Sequence, residues 1–279
     1  MKKIKQVILW CWKFSRRVSR DRVDAYAAQS AFFIIMGFIP FLMMLLSMLQ
    51  YTPLTSPQVM EMIMDFMPES FRDYLQGIVS ELFTRSTAIL SGTAIAAVWA
   101  AGRAVLAMTK GLNSVYHIDE TRNYFYMRLR SAFYIVFFMI ALILAMVLLV
   151  FGNKIQEALL SNVPFLQQFS GFIISVRTVV TLVILALLFW GMYVLLPNRR
   201  HVHVLSQLPG AIVTAFTWSI FSYGFSIYFE MVGQMSRIYG SLTTVIMIML
   251  WLYFCMWLLF IGAEINVYLE DPYGYFEGI

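Results

Sequence analysis

Two ionisable residues inside long apolar stretches are the side chains of this sequence best placed to do chemistry. Arg103 follows the run AIAAVWAAG, and Glu264 lies in the run IGAEIN near the end of the last apolar stretch. A charged side chain at the centre of a membrane costs about 2.5–3.5 kcal/mol, so it pairs with a partner or faces a polar cavity. We therefore expect Arg103 either to line a path for an anionic group or to form a structural ion pair, with Glu264 as its natural partner.

Trp99 stands one helical turn before Arg103 and extends this candidate site. An arginine above an indole ring gains a cation–π attraction of about 0.5–2 kcal/mol. Small residues recur on the same helical face, at Gly92, Ala96 and Ala107, and small residues let a second helix approach closely. The competing interpretation is that Arg103 extends along its helix to the lipid headgroups and serves no substrate.

No arrangement of residues typical of an enzyme stands out in the sequence. His201 and His203 are close together, but zinc sites use three or four ligands, and no Cys or acidic residue is near them in the sequence. Cys11 and Cys255 fall at different expected depths, so no disulfide is predicted between them. We therefore predict no catalytic residue, no metal, no cofactor and no enzymatic activity.

The elements that would position these residues follow from the composition. The chain has 279 residues, of which 61% are hydrophobic and 13% are charged, whereas a soluble domain has about 45–50% apolar and about 25% charged residues. Because a membrane-spanning helix needs about 20 mostly apolar residues, we predict an all-α polytopic membrane protein with a membrane domain at residues 25–270. Its six predicted spans cover approximately residues 25–49, 88–115, 131–151, 172–196, 208–230 and 241–269.

Residues 1–24 are predicted to form an amphipathic helix that lies in the plane of the membrane surface. Ile4, Ile8 and Cys11 fall on one helical face, and Lys and Arg residues occupy the opposite face. Each Lys or Arg near an anionic leaflet contributes about 1 kcal/mol of attraction, so the bilayer and its anionic headgroups are the predicted partners. The predicted lipid contacts are Lys2, Lys3, Lys5, Lys13, Arg16 and Arg17.

The distribution of basic residues predicts the orientation of the chain. Fourteen Lys and Arg residues fall in the N-terminal segment and in the connections after the second and fourth spans, against four in the other connections. Because basic connections stay on the cytoplasmic side, both termini and the tail at residues 271–279 are predicted to be cytoplasmic. The connections at 51–86 and 153–170 are then outer amphipathic helices. Orientation accounts for the net charge of +5 without a nucleic-acid partner.

Several short motifs resemble, in order, those of a known family. They are WAAGRA at 99–104, LNSVY at 112–116, PGA at 209–211, YGS at 239–241, WLY at 251–253 and GAE at 262–264. Over residues 10–270 the chain is similar to the YihY/BrkB family of bacterial inner-membrane proteins. The resemblance implies six spans in a bacterial plasma membrane, and its motifs add Asn113 and Tyr239 to the candidate site. Such proteins have often carried a ribonuclease label, which the three histidines of this sequence do not support.

Two functions from different classes are compatible with these patterns. The resemblance, together with Arg103 and Glu264, implies a transporter or lipid translocator for an anionic or lipid-like substrate. The alternative is a non-enzymatic scaffold or envelope-assembly protein, which would tolerate neutral residues at both positions. The sequence leaves open whether the protein forms a homo-oligomer and whether its two halves are inverted repeats.

Overall fold

The described part of the chain consists of helices and the short loops that connect them. A computed structural model describes residues 2–49, 87–123, 125–131, 133–134, 170–199, 203–233, 241–272 and 274. The principal helices are α1 (Lys2–Arg20), α2 (Val23–Leu49), α3 (Thr87–Val115), α4 (Ser170–Leu195), α5 (Leu208–Gly233) and α6 (Ser241–Glu270). A 3₁₀ helix at Val204–Gln207 precedes α5, and residues 125–131 are also helical. The predicted all-α class is confirmed for these residues. Tyr239, most of the third predicted span and nearly all of the outer connections lie outside them.

Two helical stretches of the described chain are long and apolar enough to cross a membrane. They are Val204–Phe229 and Val245–Glu270, and shorter apolar stretches lie at Val23–Phe38 and Val179–Leu195. On α5, Ile212, Phe216 and Ile220 stand at intervals of one turn and are each 57% exposed. Bulky apolar side chains that face outward in a continuous row are typical of a surface in contact with lipid. The count of six spans and the cytoplasmic termini stay predictions.

Small buried residues draw α2 and α3 together. Ala27 and Ala31 of α2, and Ala104 and Ala107 of α3, are at most 3% exposed. Helices in a membrane gain little from the hydrophobic effect between them, so their packing depends on close contact at small residues. These alanines therefore make α2 and α3 the most extensively packed helix pair of the described chain.

Gly111 determines the level at which α6 meets α3. A β-carbon at this position would lie 2.5 Å from the ring of Phe260 and 2.9 Å from the β-carbon of Tyr26, which is too close for carbon atoms. The Phe260 ring therefore fills the space in which a side chain at position 111 would lie. This contact aligns residue 111 of α3 with residue 260 of α6.

Two glycines let the backbones of α5 and α6 meet. A β-carbon at Gly210 would overlap the carbonyl oxygen of Gly262 and the side chain of Asn266. A β-carbon at Gly262 would overlap the hydroxyl groups of Thr214 and Tyr193. Any side chain at either position must displace a backbone or a buried hydroxyl group, so the crossing requires glycine on both helices.

The exposed surface of α1 combines aromatic and basic side chains. Trp12 is 50% exposed, and the guanidinium of Arg16 lies 4.1 Å from the centroid of its ring. Lys5 is exposed as well. A helix with such a surface is of the kind that binds at a membrane interface. The lipid contacts stay a prediction, and the side chains of Lys2 and Lys3 lie outside the described ones.

Arg17 was predicted to contact lipid, but its side chain is buried at the junction between α1 and α2. Its side chain is 8% exposed, and its Nε lies 3.1 Å from Oδ2 of Asp21. Arg22 follows with φ of 55°, a left-handed conformation that ends α1, and the hydroxyl of Ser114 donates to the carbonyl of Asp21 at 3.1 Å. A charge buried to this extent needs its partner, so Arg17 positions the junction and does not face lipid.

Candidate functional site

Glu264 and Asn266 lie inside the helix bundle near the end of α6, and both are 0% exposed. Oδ1 of Asn266 accepts a hydrogen bond from the N–H of Gly210 at 2.7 Å. Its Nδ2 donates to the carbonyl of Gln207 at 3.2 Å. The first N–H groups of a helix have no partner within that helix. Asn266 provides the acceptor for one of them at the start of α5, and its two hydrogen bonds connect α5 to α6.

A chain of hydrogen bonds leads from this point to the surface. The hydroxyl of Tyr116 donates to Oε1 of Gln207 at 2.6 Å, and Nε2 of Gln207 donates to Oε1 of Glu270 at 2.6 Å. Oε2 of Glu270 then accepts from Nη2 of Arg199 at 2.7 Å. Burial raises the pKa of Tyr116 above its ordinary value of 10.0, so its hydroxyl stays protonated and remains a donor.

A second group of hydrogen bonds lies deeper between α4, α5 and α6. The hydroxyl of Tyr193 donates to the carbonyl of Leu259 at 2.7 Å, which leaves Thr214 to donate to Tyr193 at 2.8 Å. Tyr193 and Thr214 are both 0% exposed. Leu259 and Glu270 are about 16 Å apart along α6 at a rise of 1.5 Å per residue. Polar groups therefore extend about 16 Å from the loops into the bundle.

Asn113, which the resemblance added to the site, connects two loops. Its Nδ2 donates to Oε2 of Glu120 at 2.7 Å, and its Oδ1 accepts from the N–H of Asn198 at 2.9 Å. Glu120 also pairs with Arg122 at 2.7 Å. The hydrogen bonds from Arg122 hold the pKa of Glu120 below its ordinary value of 4.5. Asn113 therefore fastens the loop after α3 to the loop after α4.

Glu120→Gln is expected to remove a contribution to stability that depends on pH. Because the pKa of Glu120 is lowered by folding, its carboxylate stabilises the fold above the pKa of the unfolded chain, and this contribution is lost as the pH falls through the folded pKa. We expect wild type to be more stable than Glu120→Gln by about 1 kcal/mol near neutral pH, with the difference closing below about pH 4. Thermal unfolding in detergent across this range measures it. A difference that is unchanged at about pH 3 contradicts the assignment.

Trp99 contacts a different arginine from the one predicted. The guanidinium of Arg128, from the helical segment after α3, lies 3.9 Å from the centroid of the Trp99 ring, and its Nη2 donates to the Trp99 carbonyl. The absence of a side chain at Gly102 leaves room for this guanidinium. Arg103 is exposed and places its own guanidinium 5.6 Å from the ring of Phe33 in α2.

The structure does not bring Arg103 and Glu264 together, because they lie at different levels of the bundle. Arg103 is about 18 Å before the end of α3, whereas Glu264 is about 9 Å before the end of α6. The contact of Gly111 with Phe260 aligns the two helices. Arg103 lies about two turns from this contact, on the side that faces away from the loops. Glu264 lies about one turn from it, on the side that faces the loops. The predicted ion pair is therefore not formed among the described residues.

Two residues that form connections in this site were not among those predicted from the sequence. Gln207 joins Tyr116, Glu270 and Asn266, and Arg128 joins Trp99. One signal was available for Gln207, since it stands just before a helix start at which N–H groups need acceptors. No signal singled out Arg128, because arginines in a loop are first explained by membrane orientation.

The remaining candidate residues can be described briefly. Tyr239 lies outside the described residues. Cys11 is exposed and Cys255 is buried, and neither forms a disulfide. Where the structure describes the chain, no three His, Cys, Asp or Glu side chains lie close enough together to hold a metal ion.

Several known proteins are similar to this chain over most of its length. The ribonuclease-like protein YfkH of Bacillus subtilis is 30% identical, covering 88% of this chain and 93% of its own length. UPF0761 membrane proteins of Vibrio atlanticus and Cronobacter sakazakii are 25% and 24% identical, covering 96% and 95% of this chain and 86% and 90% of their own lengths. No solved structure matches the chain significantly. Residues 14–275 match the family described as Virulence factor BrkB, and the chain therefore belongs to this family of membrane proteins.

Proposed function

We propose that this protein translocates an anionic, lipid-like substrate through the membrane. The observation that carries the proposal is the series of polar groups that extends from the loops into the bundle between α5 and α6. Its inner members Glu264, Asn266 and Thr214 are 0% exposed. Polar and ionisable residues at this depth are costly in a membrane, and they are typical of paths for ions or polar substrates.

The two acidic residues of α6 differ in their surroundings. Glu270 accepts hydrogen bonds from Arg199, Ser206 and Gln207, so a fixed cation balances its charge. Glu264 lies about 9 Å deeper along α6 and is 0% exposed. In our proposal, Glu264 takes up and releases a proton while an anionic group passes, and Glu270 has a structural role.

An apolar groove between α5 and α6 supports a substrate with a hydrocarbon tail. The groove is lined by Ser222, Phe225, Ser226, Phe229, Ile248 and Trp251. The indole N–H of Trp251 donates to the hydroxyl of Ser222 at 3.3 Å, and the hydroxyl of Ser226 donates to a backbone carbonyl. Because these polar groups are satisfied within the protein, the groove presents mainly aromatic and aliphatic surface, which suits an acyl chain.

Flipping of a labelled phospholipid in liposomes tests this function, with Glu264→Gln as the decisive variant. The purified protein is reconstituted, and bleaching of a headgroup-labelled phosphatidylglycerol by dithionite reports movement between leaflets. We expect wild type to accelerate flipping over empty liposomes and Glu264→Gln to lower the rate at least about ten-fold. Glutamine keeps the shape of the side chain but cannot exchange a proton.

Asp271→Asn is the matched control, because Asp271 is an exposed acid just beyond the end of α6. We expect this variant to flip lipid at the rate of wild type. A wild-type rate equal to that of empty liposomes contradicts the proposal and favours a scaffold or envelope-assembly protein. An unchanged rate in Glu264→Gln contradicts the role given to its carboxyl group.

A further inference from the structure

Two basic side chains interrupt the buried surface of the second half of α3. Between residues 102 and 115, Arg103 and Lys110 are exposed, and every other residue is buried or half-buried. Seven residues make two helical turns, so both side chains project from the same face, about 10 Å apart along the helix. Ala107 stands between them on this face and is 2% exposed. Its small side chain leaves the space between the two cations open.

One edge of α2 lies beside these two cations. The ring of Phe33 is 5.6 Å from the guanidinium of Arg103. Two turns nearer the loops, a β-carbon at Gly111 would lie 2.9 Å from that of Tyr26. These two contacts align the antiparallel helices. Gln29 is exposed and stands one turn from Phe33 on the same face of α2, so its amide lies at a level between the two basic residues.

No ion pair found in the described chain involves Arg103 or Lys110. The nearest acid along α2 is Asp24, but nine residues, or two and a half turns, separate it from Phe33, so it faces the opposite side of that helix. Between the two cations, residues 104–108 of α3 are alanine, valine, leucine and methionine. Positive charges in such apolar surroundings attract an anion more strongly than they would in water.

The surface of α2 beyond this polar level is apolar. Met36 follows Gln29 by seven residues, or two turns, on the same face, and it is 55% exposed. Phe32 on the neighbouring face is 47% exposed. Cations at one level and exposed apolar side chains at the next fit a lipid, in which a charged headgroup is followed by acyl chains.

We propose that Gln29, Arg103 and Lys110 bind the headgroup of a lipid that carries two phosphate groups. Each cation takes one phosphate through charge-assisted hydrogen bonds, and the amide of Gln29 donates to the headgroup between them. The acyl chains lie along the exposed apolar surface of α2. This site is formed by α2 and α3 and not by α5 and α6, so it goes beyond the proposed function and does not require that the bound lipid moves.

Native mass spectrometry of the full chain in detergent micelles tests the site. The probes are cardiolipin with two phosphate groups, phosphatidylglycerol with one, and diacylglycerol with none. We expect cardiolipin to bind at least about ten-fold more tightly than phosphatidylglycerol, and diacylglycerol to bind most weakly. Arg103→Gln and Lys110→Gln are each expected to weaken cardiolipin binding about ten-fold, or about 1.4 kcal/mol. Equal affinities of wild type for cardiolipin and phosphatidylglycerol overturn the proposal.

Lys5→Gln is the matched control, because it removes the same charge from an exposed position of α1. We expect this variant to bind cardiolipin as wild type does. An equally large loss in Lys5→Gln overturns the site, since net charge alone would then explain binding, and so does unchanged binding in both α3 variants. The deacylated headgroup of cardiolipin, added at the same concentration, is expected not to compete. Equal competition contradicts a site for lipid.

Two variants at Gln29 keep the test decisive if an α3 variant fails to fold. Gln29 is exposed, so substitutions there leave the packing between α2 and α3 intact. Gln29→Glu keeps the shape of the side chain, but its carboxylate pairs with the cations and repels phosphate, so we expect about a ten-fold loss of cardiolipin binding. Gln29→Asn keeps the amide, and we expect it to retain the preference for cardiolipin. Normal binding by Gln29→Glu overturns the proposal.

Discussion

Alanine at Gly210 or Gly262 is expected to destabilise the protein by about 3 kcal/mol or more, or to prevent folding. A β-carbon at Gly210 would overlap the carbonyl of Gly262, and one at Gly262 would overlap the hydroxyls of Thr214 and Tyr193. These neighbours cannot move aside cheaply. The carbonyl belongs to a helix backbone, and the two hydroxyls are buried and bonded to each other. Either substitution must therefore separate α5 from α6.

Gly191 and Gly224 provide matched controls, because a β-carbon at either position meets nothing within 4 Å. Alanine there is expected to leave stability unchanged or to raise it by about 0.5–1 kcal/mol, since glycine is a poor residue inside a helix. Melting temperatures of the four variants in the same detergent measure the difference. Similar melting temperatures for Gly210→Ala and Gly224→Ala would show that α5 and α6 are not in close backbone contact.

The helices could be predicted from the sequence because their signal is local. The apolar runs and the small residues of α3 indicate a membrane helix around Arg103 without any knowledge of its neighbours. The role of Gly262 could not be predicted in the same way, although it stands next to Glu264. Its importance depends on the carbonyl and hydroxyl groups opposite, which only the crossing of α5 and α6 supplies.

Charge complementarity alone was not enough to predict whether Arg103 and Glu264 form a pair. Both residues are ionisable and both lie in apolar helices, so opposite charge favours a pair. Whether two such residues meet depends on the alignment of their helices, which here follows from the contact between Gly111 and Phe260. A cation–π contact to Trp99 is present as predicted, but the arginine that makes it is Arg128 and not Arg103.

The hydrogen bonds of Asn266 could not be predicted from the sequence for a related reason. Its two partners are the backbone N–H of Gly210 and the backbone carbonyl of Gln207. Every residue except proline carries both groups, so no residue type in the sequence marks them as partners. They become specific only where a helix begins and leaves its first N–H groups without acceptors.

Leucine at Asn266 is expected to destabilise the protein by about 2–4 kcal/mol, because it leaves the buried N–H of Gly210 without its acceptor and removes the hydrogen bond to the carbonyl of Gln207. Leucine has the same number and branching of side-chain heavy atoms as asparagine, so the main loss is of hydrogen bonds and not of packing. The start of α5 would be released from α6, and lipid flipping should fall with stability because Glu264 lies on the same segment of α6. Thermal unfolding in detergent gives the first quantity, and dithionite bleaching in liposomes gives the second.

Asn123→Leu serves as the matched substitution, because Asn123 is exposed and its Oδ1 accepts one hydrogen bond, from the N–H of Phe125 at 3.2 Å. Water can replace this bond, so the expected loss is at most about 1 kcal/mol. Equal melting temperatures for Asn266→Leu and Asn123→Leu would mean that the first N–H groups of α5 find other acceptors. The side chain of Asn266 would then not be what holds α5 to α6, and the inner polar groups would have to be positioned by the glycine crossing alone.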